Sequence, residues 1–237
     1  FNDKLSGTVQ AVSRASENGQ AKVDWAYLSY DLTPETTIQA GRRRLPIYAY
    51  SDSVYIGYTL PWVRVPQDIY GWEIGAYNGA NIRHTRSIGD WAVSGTLFAG
   101  QEISKDNVKI YYGTRVDDSW KDIRGGILDV SNDVFSARAM YMENKIDMTV
   151  YAPSEDLSQY GTHQRIIGLS ATMDYNNWLV RAEANRFIRP ALDYQSSSWT
   201  ATVGHKIGQF TPLVGYSSYK EKVTESYTDA QIDNTTF

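Results

Sequence analysis

From Leu5 onward apolar and polar side chains alternate. Leu5, Gly7, Val9 and Ala11 fall on one side, and Ser6, Thr8, Gln10 and, past an exception at Val12, Arg14 fall on the other. A period of two is the mark of a strand with one apolar and one wetted face. Ser16 to Gln20 carries turn chemistry, and Lys22 to Leu32 returns with Ala26, Leu28, Tyr30 and Leu32 on one face. Thr33–Thr36 reads as a tight turn into a third strand at Thr37 to Ala40. Further on, Ala80 to Ile88 and Trp91 to Ile103 are expected to pair across Gly89-Asp90. The alternation recurs from Phe135 to Tyr141, Trp178 to Ala184, Trp199 to Val203 and Phe210 to Tyr216, and the opposite faces carry Arg138, Arg181, Glu183 and Lys206.

The turns add a second regularity. Thr33–Thr36, Gly89-Asp90, Ser131–Asp133, Asn176-Asn177 and Gly208-Gln209 are short, and Trp91, Phe135, Trp178 and Phe210 follow closely behind them. Short turns at one rim, longer loops at the other and aromatics where strands enter the bilayer form the plan of an outer-membrane barrel. Trp91, Trp178, Trp199 and Phe210 are therefore expected to be membrane-interface aromatics. The short turns must share a rim, so an even number of strands separates them, and residues 101–121 read as an extracellular hairpin. The expected fold is all-β, a transmembrane antiparallel β-barrel in one domain with roughly eleven wall strands. Since single-chain bacterial barrels use even numbers, the pattern leads us to expect a piece of a larger barrel, incomplete at both ends, with Asp229 to Phe237 beginning an outer loop.

Composition agrees with this plan. No run of about 18 apolar residues is present to form a membrane helix, and the mean hydropathy is -0.44. Barrel strands need only every second residue apolar, so a low mean hydropathy is compatible with a greasy outer wall. Cysteine is absent, and the 237 residues carry a net charge of -4. Phosphate neutralisation needs a basic face, so this acidic balance argues against nucleic acid as a partner.

One stretch departs from alternation: Gly41 to Glu73, GRRRLPIYAYSDSVYIGYTLPWVRVPQDIYGWE. Connections in compact domains have a median of about 4–6 residues, so a segment this long and irregular points to function. We expect residues 46–79 to fold into the barrel mouth as a constriction loop. Asp24–Leu32 (DWAYLSYDL), Ala40–Pro46 (AGRRRLP), Tyr50–Tyr58 (YSDSVYIGY) and Pro61–Gly71 (PWVRVPQDIYG) resemble porin-like outer-membrane proteins of Gram-negative proteobacteria, related to general and phosphate-selective porins. The specific likeness covers about fifty residues; elsewhere it is one of strand and turn pattern. It implies a sixteen-strand-type barrel, a homotrimer, and passage of small hydrophilic solutes or ions. Arg43 departs from the pattern, where an aliphatic residue is usual.

Arg42, Arg44, Arg64, Asp52, Asp68 and Glu73 are the candidate constriction charges, joined by Arg138, Arg181, Glu183 and Lys206 on the strands. Opposed charges at a narrowing select permeants by charge. The competing reading is that these charges only pin the loop. Strand alternation sets Arg43 opposite Arg42 and Arg44, so the three are not expected to line one lumen. Tyr48, Tyr50, Tyr55, Tyr58, Trp62 and Tyr70 offer sugar-stacking faces, or, as the favoured alternative, pack the loop on the wall.

His84, His163 and His205 are too scattered for a metal site of ordinary spacing, and no cofactor is called for. Ser217 to Lys220 contains S-x-x-K, but on a strand. The chain is accordingly expected to be no enzyme, with outer-membrane lipid, lipopolysaccharide and solutes as partners. Two rivals remain: a non-conducting surface protein for adhesion, phage attachment or docking, and a soluble carbohydrate-binding β-sandwich.

Overall fold

The computed structural model describes residues 3–13, 21–71, 74–108, 115–151 and 158–222. The expectations at Arg14, Ser16 to Gln20, Glu73 and Asp229 to Phe237 lie outside the described residues. Eleven strands form one antiparallel sheet in chain order: β1 (Leu5–Ser13), β2 (Ala21–Thr33), β3 (Thr36–Arg44), β4 (Ala76–Ile88), β5 (Trp91–Val108), β6 (Arg115–Ser131), β7 (Phe135–Val150), β8 (Gln159–Tyr175), β9 (Trp178–Arg189), β10 (Tyr194–His205) and β11 (Leu213–Lys222). The all-β architecture and the number of wall strands are those read from the sequence. The segment 101–121 consists largely of the outer parts of β5 and β6, which remain paired as far as Val108 and Arg115.

Every connection at one rim is tight. Asn176 and Asn177 both take left-handed backbone (φ 47° and 67°) between β8 and β9, a conformation that asparagine tolerates and that suits the twist of a hairpin. Between β6 and β7, Asn132 Oδ1 accepts hydrogen bonds from the backbone N–H groups of Val134 (2.9 Å) and Phe135 (2.7 Å). The opposite rim is less uniform than expected. It carries the long β3–β4 segment, but β9 and β10 are joined by one 3-10 turn, Pro190–Leu192, and Asp193.

The sheet has one lipid-facing and one inner surface near the tight-turn rim. Trp91, Val93, Leu97 and Ala99 share the outer side of β5, where Leu97 is 66% exposed, whereas Ser94 and Phe98 are buried on the inner side. Further from the turns this polarity inverts. On β7 the outward Phe135, Ala137, Ala139 and Tyr141 give way to Glu143, Lys145 and Asp147, while the inward Met140, Met142, Ile146, Met148 and Val150 are buried. The inner face of the outer half is therefore mixed rather than simply polar, with Asp118, Asn144, Thr162 and Gln164 buried among these apolar side chains. In the outer half charged side chains stand on the exterior of β7, and Val116, Trp120, Ile123, Ile166 and Phe187 on the inner side cluster with Leu45, Ile47 and Ile69 from the β3–β4 segment.

Candidate constriction site

The β3–β4 segment enters the interior. It contains short 3-10 turns at Ser51–Ser53 and Gly57–Thr59 and a single helical turn, α1 (Gln67–Tyr70). Two wall features admit it. A Cβ on Gly168 of β8 would lie 3.1 Å from the Ile47 carbonyl oxygen and 2.7 Å from Asn185 Oδ1, so any larger residue would crowd the loop backbone and displace the Asn185 side chain. Glu183 of β9 then holds the loop from within: its carboxylate accepts hydrogen bonds from Tyr70 OH (2.6 Å), the Ala49 N–H (3.0 Å) and Asn185 Nδ2 (3.2 Å). Burial, reinforced by the adjacent carboxylate, pushes the Tyr70 phenol well above its ordinary value, which keeps it protonated as a donor.

Other anchors lie along the same wall. Trp62 Nε1 donates to Thr202 Oγ1 of β10 (2.9 Å), Ser217 Oγ of β11 donates to Asp68, and Arg138 Nη1 of β7 reaches the Tyr48 carbonyl (3.5 Å). Tyr48 packs on Tyr70 with ring centroids 4.6 Å apart, and Tyr50 meets Trp62 edge-on at 5.5 Å. Most of the loop aromatics thus serve packing. Tyr58, 92% exposed, is the exception. Residues 58–61 border a hollow with Asp174, Trp178, Arg181 and Lys206, so the segment reaches almost to the tight-turn rim.

The loop occupies the β7–β11 side. Across from it lies a cavity of about 250 Å³, into which Arg43, Arg44, Arg83 and Arg138 contribute four guanidinium groups against the carboxylates of Asp52 and Asp129. Arg43 lies over the Tyr27 ring (4.5 Å) and 3.8 Å from Asp52. Arg138 Nε donates to Asp129 (2.6 Å), and Arg44 pairs with Asp24 while stacking on Tyr55 at 4.3 Å. Arg83 donates to Ser94 Oγ (3.0 Å) and pairs with no carboxylate among the described residues.

The RRR run is distributed differently from the sequence expectation. Arg43 and Arg44 border the same cavity, whereas Arg42 is held in a two-bond fork by Glu102 (2.7 Å each), which also accepts from Asn78. Alternation belongs to regular extended backbone. It separates Arg43 from Arg42, but Arg44 ends the strand, where the constraint lapses. Arg64 is exposed on the loop and forms no ion pair among the described residues, and Asp68 is drawn to Ser217. Arg181 is clamped by Asp174 (2.8 and 2.9 Å), and Lys206 lies exposed beside the tight turns. Sequence reasoning overlooked Arg83, Asp129, Glu102 and Asp24. Arg83 and Asp129 share parity with inner residues of their strands, Asn81 and Ile127, and that signal was available.

The interface aromatics Trp91, Trp178, Trp199 and Phe210 are all exposed. Trp91 pairs edge-on with Phe135 at 6.2 Å, and Trp178 packs at a tilt on His205 at 4.5 Å. Ser217 and Lys220 lie on opposite faces of β11, so the S-x-x-K run is no dyad. Among the described residues no cluster of three metal-ligating side chains occurs.

No protein-family model matches the chain, and no curated protein does. Solved structures of OmpT, an outer membrane protein of Vibrio cholerae, are similar to it. The in-vitro folded protein is 13% identical over 94% of this chain and 76% of that one (TM-score 0.48), and a trimer form is 15% identical over 98% and 82% (TM-score 0.46). A loop L8 deletion mutant is 12% identical over 93% and 82% (TM-score 0.46). This likeness reaches outer-membrane barrels as a class without singling out the general or phosphate-selective porins. It also corrects one expectation. The chain resembles proteins named OmpT, and a barrel of this kind is a scaffold for more than one class of function, so the reading of the chain as no enzyme is withdrawn. With its outward apolar band, its aromatic rim and one antiparallel sheet in chain order, the chain is an outer-membrane β-barrel protein that crosses the bilayer with its strands.

Proposed function

We propose that the chain is a porin: a passive channel for ions and small hydrophilic solutes, narrowed by residues 46–79 and biased toward anions by its arginine-lined cavity. One observation carries the reading. The β3–β4 segment is held against the inner wall by Glu183, Thr202 and Ser217 on three successive strands, while the opposite side keeps a polar cavity with more guanidinium than carboxylate groups. A loop held in this way narrows a lumen without filling it, and opposed charges at the narrowing sort permeants.

Arg43 and Arg83 are the selecting cations on this reading, with Arg138 and Arg44 largely neutralised by Asp129 and Asp24. Three copies form the working unit, as the resemblance implies, and residues 101–121 project outward. Purified protein inserted into planar bilayers tests the channel directly. Ohmic conductance with an anion-favouring reversal potential in a salt gradient is expected, and the double change Arg43→Ala, Arg83→Ala should move that potential toward cations. Protein that folds and inserts but never conducts would sink the proposal.

A further inference from the structure

The cavity across from the loop holds neutral polar side chains as well as arginines, and the strand registers order them. Arg83 stands between Thr37 of β3 and Thr96 of β5, and the next inner row toward Arg43 holds Gln39, Asn81 and Phe98. Two of these side chains have unused hydrogen-bonding capacity. Gln39 donates from Nε2 to Ser29 Oγ (2.8 Å), and its Oε1 is an acceptor with no partner among the described residues. Thr96 Oγ1, which can donate and accept, has none among them either. The cations are mostly compensated. Arg138 pairs with Asp129, Arg44 with Asp24, and Arg43 more loosely with Asp52 at 3.8 Å. Asp31, in the row of Thr37, accepts from that hydroxyl (2.6 Å) and stands outside the cavity lining. Arg83 is left as the cation in excess among the described residues, with neutral partners for a ligand on either side of it.

From this arrangement we infer that the cavity is a recognition site for a monoanionic polyhydroxy acid, a sugar acid of the gluconate class. The inference rests on the channel reading above and names its solute. The carboxylate lies on the Arg83 guanidinium, and hydroxyls along the carbon chain donate to Gln39 Oε1 and share hydrogen bonds with Thr96 Oγ1. Other anions fit less well. One excess cation matches one carboxylate, whereas dianionic phosphate would meet the Asp52 and Asp129 carboxylates in the same space. Chloride and simple carboxylates bring no donor for Gln39 Oε1. An aryl acid finds no open ring to stack on, since Arg43 covers Tyr27 and both Tyr77 and Phe98 are buried. Pockets for small molecules span about 300–1,000 Å³, so a cavity of about 250 Å³ takes one acid of monosaccharide size. Polar groups placed for hydroxyls discriminate against a ligand that lacks them, because they are then left unpaired. Binding near ~1 mM suits a channel, whose solute must also leave.

The test uses the whole chain folded into phosphatidylcholine vesicles, with gluconate as the probe and saturation-transfer NMR as a readout of weak binding that does not depend on conduction. Hexanoate keeps the charge without hydroxyls, sorbitol keeps the hydroxyls without charge, and inorganic phosphate is the competing anion. Gluconate is expected to bind roughly 10-fold tighter than hexanoate or sorbitol. Gln39→Leu with Thr96→Val removes both neutral partners and should erase the advantage over hexanoate; Thr96→Val alone, which keeps the side-chain shape, should reduce it if the double variant does not fold. Arg83→Gln should weaken both acids alike and leave sorbitol unaffected. Equal binding of gluconate and hexanoate, a preference for phosphate, or an advantage that survives in the Gln39 and Thr96 variants would overturn the inference. In planar bilayers gluconate should interrupt the chloride current at the concentrations that saturate the NMR signal. Protein that conducts chloride yet binds gluconate no better than hexanoate overturns this inference and leaves the channel reading standing. Selective gluconate binding by protein that never conducts does the reverse.

Discussion

Glu183 illustrates how one inner-wall residue organises a loop distant in sequence. Its partners Tyr70 and Ala49 lie 113 and 134 residues away along the chain, and both present only a donor to the carboxylate. Glu183→Gln replaces one acceptor oxygen by an NH₂ group facing a donor, which costs about 1–3 kcal/mol for each group left unsatisfied in a buried site. The loop should stay in the lumen, held by Trp62 and Ser217, but with greater freedom. The expected readout is a noisier, larger single-channel conductance from the Gln variant, and traces indistinguishable from those of the unaltered protein would show that Glu183 does not hold the constriction. Alternation in TrpLeuValArgAlaGlu was enough to place Glu183 inward. It could not reveal the donors, because hydrogen-bond partners across a fold leave no local periodicity. The same limit explains Arg42: its type and position suggested a pore, and only the packing of β5 brings Glu102 to it.

At the scale of the strand, the instructive feature is the inversion within β6 and β7. Residues 135–141 alternate in the sense of a membrane wall, but beyond Tyr141 the buried side carries methionine and isoleucine and the exposed side carries charge. The sequence contains this switch. A period of two does not reveal it, because the repeat looks the same whichever face is apolar. Turn chemistry is the more legible signal, since Asn176, Asn177 and Gly89 suit left-handed backbone irrespective of what surrounds them. The inverted half has a clear energetic role: Trp120 and Phe187 belong to one apolar cluster with Leu45, Ile47 and Ile69 of the β3–β4 segment on the inner side. Trp120 is 1% exposed. Trp120→Ala should therefore destabilise the barrel by about 3–5 kcal/mol, seen as a lowered urea midpoint in vesicles. A loss below about 1 kcal/mol would show that the outer half tolerates a cavity and adds little to stability.

For the whole molecule, everything follows from which side of the sheet meets lipid, and adjacent residues on β5 allow that to be measured. Leu97 is directed outward in the row of Ile82 and Gly126, and Thr96 inward, bordering the cavity with Arg83. A guanidinium on the outer face near the bilayer midplane costs about 2–4 kcal/mol, whereas one on the lumen face remains in water. Leu97→Arg should accordingly lose stability by that amount in a reversible unfolding titration from lipid vesicles. Thr96→Arg, one residue away, should change it by less than about 1 kcal/mol while making the channel more anion-selective through a further cation beside Arg83. In detergent micelles, which deform around a charge, the difference between the two variants should narrow. Equal losses for both in the bilayer would mean that the two faces see the same environment. A soluble sandwich of the same strands would give the reverse order, because Leu97 would then be at a wetted surface and the arginine at Thr96 would enter the core.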